Sequence, residues 1–171
     1  FLRLTMHLGA ELGVEPVSLV HALQNHDELT YELVHFATVH GTESFTFRGS
    51  EIRGDDLARL IRAELTEHLT GDAASYNATF TQNGIASTTA TVIAASLGYT
   101  EIDHLSLDQV EAIKAAHLLL AMFNAWQPGV FALSGWDLVG ALTLDRKQVA
   151  ALVASGDTRW MHAWGQAEYS A

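Results

Sequence analysis

Cysteine is absent from this chain, so neither a disulfide framework nor a thiolate metal site can be built from it. That composition suits the cytoplasm. Basic residues are scarce: nine Lys and Arg face twenty Asp and Glu, for a formal charge of −11. Binding a polyanion needs clustered cations that neutralise phosphates, and the few here are scattered. Nucleic acid is therefore excluded as a partner, and a neutral ligand fits better. Long apolar runs are missing too. The two strongest, residues 85–97 and 115–126, fall short of the ~20 residues that span a bilayer, so no membrane partner is expected. The opening Phe1-Leu-Arg-Leu-Thr5 lacks the basic start and apolar core of a signal peptide. Proline occurs only twice, in the turns Val14-Glu-Pro-Val17 and Gln127-Pro-Gly129.

What is present is ordinary globular composition, 49% hydrophobic and 17% charged over 171 residues, enough for one domain with a real core. The chain begins with Phe rather than Met and enters directly into helix-like sequence, as expected of a segment cut from something longer. Leu4, Leu8 and Leu12 mark a first helix closed by Gly13. A short apolar strand is predicted over roughly 18–25. From Asp27, the spacing of Leu29, Leu33 and Phe36 predicts a helix to about Val39. Glu43–Gly49 alternates with period two, as a strand or hairpin arm does. A helix capped by Gly54 or Asp55 follows, with Leu57, Leu60, Ile61, Leu65 and Leu69 on one face. Residues 72–84 read as a structured loop, and 85–97 as a buried helix.

Ser106 and Gln109 form a capping box for a helix through about Trp126. Its uniformly apolar second half predicts packing against a sheet. Val130–Gly135 is a second buried-strand candidate, and Asp145 with Gln148 caps a last helix to about Ala154. Two helix–strand–helix units in this order predict an α/β fold with parallel strands, helix-rich overall. Residues 28–104 lie between the units as a large, mostly helical insertion.

Both predicted strands end in polar residues: Gln24-Asn-His-Asp27 after the first, Trp136-Asp137 after the second. In a parallel barrel the carboxyl ends of strands are where chemistry is placed. The plainer alternative is that Asn25 and Asp27 break the strand and cap the next helix. Nine His raise the question of a metal. The His-Glu-x-x-His spacing of a zinc helix is absent, however, and His35 and His40, five apart, do not share a helical face. His117, inside an apolar helix, reads as a satisfied core residue. Neither a Gly-x-Ser-x-Gly elbow nor a phosphate-cradling glycine loop is present. No metal or other cofactor is implied.

Leu23-Gln-Asn-His-Asp27 resembles the Asn-His-Asp motif that ends the seventh strand of the (β/α)8 barrel in the α-amylase superfamily. The longer stretch Ala22–Phe36, Leu69-Thr-Gly-Asp-Ala73, Thr81-Gln-Asn-Gly-Ile85 and Gln127–Leu142 resemble the trehalose synthase branch, whose members convert maltose to trehalose. Residues 127–142 look like the eighth strand and the loop after it. The resemblance runs from about residue 18 to Trp160. It implies that Asp27 is the catalytic carboxylate that stabilises the transition state, and that His26 hydrogen-bonds the glucose ring. Asn25, Glu28, Trp136 and Asp137 are substrate-binding candidates by position.

The same resemblance implies that the nucleophile and the general acid lie on earlier strands, and neither motif is found before Ser18. A whole barrel takes ~250 residues. The chain is thus expected to be the C-terminal portion of a (β/α)8 barrel, strands seven and eight with flanking helices, inactive without the N-terminal part of the barrel. Maltose, trehalose or a short α-glucan would be its ligand. A hydrolase of the same superfamily, acting on such glucans, is the second expectation. The third is a non-enzymatic fragment that assembles with a partner or as a homo-oligomer, because two strands without neighbours leave open edges.

Overall fold

A computed structural model describes residues 2–24, 29–30, 33–80, 84–143 and 154. Helix α1 (Leu2–Glu11) leads through a 3-10 turn at Pro16–Ser18 into β1 (Val20–His21). Far along the chain, β7 (Val130–Phe131) lies beside β1. The two are parallel, with Val20 opposite Val130 and His21 opposite Phe131. The described strand is shorter than the predicted 18–25, because Pro16 opens a 3-10 turn in front of it. Gly129, at φ 130°, lets the entering loop pass close to β1. A Cβ there would stand 2.9 Å from both the Leu19 carbonyl oxygen and the His21 ring.

Between these strands lies a mixed unit. Strand β2 (Leu29–Thr30) is followed by α2 (Val34–His40), the hairpin β3 (Ser44–Phe47) and β4 (Ser50–Arg53), and α3 (Gly54–Leu69). Then come β5 (Ala78–Phe80), β6 (Gly84–Ser87), α4 (Thr89–Ser96) and α5 (Leu107–Ala125). The hairpin turns on Arg48 and Gly49, both at positive φ (50° and 82°), the twist that two-residue hairpin loops favour. Strands β2, β6 and β5 form an antiparallel sheet in that order.

Leu29 does not begin a helix; it pairs with Ser87 in β2, and α2 starts only at Val34 after Leu33 at φ 54°. Asp27 is therefore not the N-cap of α2. Ile85 and Ala86 belong to β6, and the helix predicted over 85–97 begins at Thr89. The reason is a capping box between Thr88 and Thr91, which satisfies the first amides of α4 and fixes where it starts. The residues 72–84 read as a loop contain β5, so the region 28–104 carries five strands beside its three helices among the described residues. The cap of α3 also moves by a residue, to Arg53.

Helix α5 keeps its predicted start, with Ser106 and Gln109 bonded reciprocally. The expected sheet packing of its second half is only partial. Ile113, His117, Ala121 and Asn124 form its covered stripe, spaced as one helical face. Leu118, Leu119, Met122 and Trp126 are exposed. The core lies elsewhere: Leu69, Tyr76, Ile85, Ile93, Ala94 and Ile113 close on one another between α3, β6, α4 and the first half of α5. After β7, Ser134 caps the short α6 (Gly135–Val139). The helix expected over 145–154 lies outside the described residues save for Ala154, which is helical.

Candidate site at the carboxyl ends of two parallel strands

The parallel pairing of β1 and β7 fixes which polar residues meet. Both strands run the same way, so Gln24, just past β1, lies at the same end as Ser134 to Asp137, just past β7. The Gln24 backbone N–H donates to Asp137 Oδ2 at 3.2 Å. Ser134 Oγ donates to the same oxygen at 2.9 Å, and accepts from the Asp137 N–H at 3.0 Å. His117, from the covered stripe of α5, donates its Nε2–H to Asp137 Oδ1 at 3.1 Å. Asp137 and His117 are both buried. A buried carboxylate without partners would be costly. Here each oxygen has a hydrogen-bond donor.

The network continues into the insertion. The buried Gln24 side chain accepts, through Oε1, from the Thr89 N–H at 3.0 Å and the Thr89 hydroxyl at 3.3 Å. Thr88 donates its hydroxyl to the Ala141 carbonyl at 2.6 Å, tying the start of α4 to the segment after α6. Thr143 donates to the Tyr76 carbonyl at 2.6 Å. On the helix side of the sheet, His21 Nδ1–H donates to Asn124 Oδ1 at 2.6 Å, and Asn124 Nδ2 donates to the Ala22 carbonyl at 3.2 Å. The other face carries Val20 and Val130, which are 73% and 52% exposed.

Of the residues expected from sequence, Asn25, His26, Asp27 and Glu28 lie outside the described residues. They directly follow Gln24 in the chain. Asp137 accepts from the Gln24 N–H, and a sugar hydroxyl bound by it would have to share oxygens already bonded to Gln24, Ser134 and His117. Trp136 is half-buried, with its carbonyl accepting from the Ala141 N–H at 2.9 Å. His117 is the satisfied core residue expected of it.

Sequence reasoning missed Gln24, Thr89 and Asn124 as parts of this arrangement. One signal was available: His117 and Asn124 are the two polar residues in the apolar run 115–126, seven apart and so on one face. Polar groups on a buried helical face need partners. Among the described residues no group of three His, Asp or Glu side chains could hold a metal ion. No described helix is long and apolar enough to cross a membrane. Comparison with family models, curated proteins and solved structures found no match to this chain.

Proposed function

We propose that this chain is the C-terminal portion of the catalytic (β/α)8 barrel of a trehalose synthase-type protein, which converts maltose to trehalose by retaining intramolecular transglucosylation. In this reading β1 and β7 are the seventh and eighth barrel strands, and residues 28–104 are an insertion between them. Asp27 stabilises the transition state. Cleaving a glucosidic bond builds oxocarbenium character on the sugar, and hydrogen bonds to its hydroxyls strengthen as that charge develops. His26 bonds the glucose ring beside it, with Asn25, Glu28 and Trp136 lining the same end.

The observation that carries the reading is the parallel pairing of Val20 with Val130. Two parallel strands separated by a long crossover, each ending in polar residues, are what a neighbouring pair in such a barrel requires. The exposed Val20 and Val130 side chains support it further, as the face that would point into the barrel. In this proposal the nucleophile and general acid come from the N-terminal part of the barrel, which also covers the exposed apolar surface of α1 and α5.

The test is product analysis. With that N-terminal part supplied, maltose is expected to yield mostly trehalose, and Asp27→Ala is expected to abolish turnover without unfolding the protein. Mostly glucose as product would replace the isomerase reading by a hydrolase of the same superfamily. Turnover by the 171 residues alone would overturn the division of carboxylates. Unfolding of Asp27→Ala would return Asp27 to a structural role.

A further inference from the structure

Two buried polar atoms in the insertion core stand unpaired. Asn77 and Ser87 are 4% and 0% exposed, yet Asn77 Oδ1 and Ser87 Oγ find no hydrogen bond among the described residues. They are neighbours across the β5–β6 ladder. Its outermost registered pair at this end is Ala78 with Ala86, and one step further brings residue 77 opposite residue 87. Directly opposed residues of an antiparallel pair face the same side. That side is the core, because Ser87 shares a face with Ile85, two residues back, which belongs to the buried cluster. Asn77 is turned the same way: its Nδ2 donates at 2.9 Å to the carbonyl of Leu69, another member of that cluster.

The chemistry of the two atoms is defined. With Nδ2 given to Leu69, the remaining amide atom of Asn77 is the oxygen, which can only accept. Ser87 Oγ can donate one hydrogen and also accept. The ladder end beside them is closed. Thr88, next to Ser87, donates to the Ala141 carbonyl, and Thr143 donates to the carbonyl of Tyr76, next to Asn77, both at 2.6 Å. Residues 141–143 thus run from the neighbour of one to the neighbour of the other. Bulk solvent is shut out, and a buried acceptor left unmade is costly. The cluster on this face, with Leu69, Tyr76 and Ile85, carries no charge, so a neutral ligand suits the place and an ion does not.

We propose that Asn77 Oδ1 and Ser87 Oγ form a binding site for one water molecule, which donates to the amide oxygen and accepts from the serine hydroxyl. Buried waters take such places, bridging polar atoms that the chain itself leaves unpaired. Held there, the water joins the end of α3, through Asn77 and Leu69, to the last residue of β6. It belongs to the insertion core and is not a surface hydrate. Its presence is independent of what the chain acts on, and so goes beyond the functional reading above.

A high-resolution crystal structure of the chain, with Ser87→Ala measured beside it, tests the site. One ordered water is expected within about 3.2 Å of both atoms. A direct hydrogen bond between Ser87 and Asn77, or a dry gap between them, overturns the proposal. Ser87→Ala removes one of the water's two partners, and the folded-to-unfolded ratio extrapolated from urea titration is expected to fall about fivefold. A hydroxyl buried with no partner would act with the opposite sign, since deleting an unpaired polar group relieves its desolvation cost. A ratio unchanged or raised in Ser87→Ala therefore overturns the proposal as well.

Discussion

The insertion and the strand pair handle apolar surface in opposite ways. In the insertion, with the first half of α5, large side chains close on one another: Ile85 is 1% exposed, and Tyr76 only 3%. Around β1 and β7 the same chain leaves Leu12, Val17, Val20 and Leu119 more than 60% exposed. What stands buried at the strand pair is polar: Gln24, His117 and Asp137. Apolar burial, the main stabilising term in folding, thus belongs to the insertion. The strand pair is held in register by directed hydrogen bonds. The buried apolar cluster lies in one region, and most of the exposed large apolar side chains lie in the other.

The contrast is broken most forcefully at Ile85. Ile85→Ala is expected to cost about 2–5 kcal/mol, from lost transfer energy plus the cavity left behind, whereas Val20→Ala should stay within about 0.5 kcal/mol. Urea denaturation of both variants measures the difference; equal losses would erase the distinction between the regions. Next is the polar side. Asp137→Ala leaves the His117 ring and the Gln24 N–H without their acceptor, a loss of about 1–3 kcal/mol, read as a lowered thermal midpoint. A neutral result would mean that these bonds do not hold the strand pair.

Alkaline pH probes the insertion core through Tyr76. Burial pushes the Tyr76 phenol up from its ordinary 10.0 to about 12, and its hydroxyl donates to the Tyr99 carbonyl at 2.6 Å. The unfolded chain loses this proton near pH 10 while the folded chain keeps it. The folded state then binds more protons, so stability is full below pH 10 and falls between about 10 and 12, by up to about 2–3 kcal/mol. Tyr76→Phe should flatten that decline in a pH series of denaturation midpoints. The smallest effect on stability is expected on α5. Leu119→Lys should change stability by less than about 0.5 kcal/mol while reducing self-association in sedimentation velocity. A large stability loss there would show that this surface is already covered.

Local signals in the sequence were reliable where the structure is local. The capping box at Ser106 and Gln109 places α5 correctly, and the alternation of Ser44–Phe47 marks the hairpin, because neighbours in sequence satisfy both. Strand β2 was illegible for the opposite reason. Leu29 and Thr30 sit in a pattern that suits a helix, but their backbone finds partners at Ser87 and Ala86, far along the chain. Ile85 and Ala86 were absorbed into a helix by composition until Thr88 and Thr91 fixed where α4 starts. At the candidate site, Asp137 was visible as a polar residue after an apolar run. That it pairs with His117 and Gln24 was not, since nothing in their own neighbourhoods names Asp137.

Gln24 and Asp137 are 113 positions apart, and that separation has a consequence for the order of events in folding. Joining distant points of an open chain carries a loop-closure entropy cost, and contacts between near neighbours form first. With α3, β6 and α4 already assembled, Thr88 and Thr89 offer docking points for Ala141 and Gln24. The two strands then meet across a folded body instead of a random coil. On this account β1 and β7 pair late, and the parallel ladder is the first part of the chain to come undone.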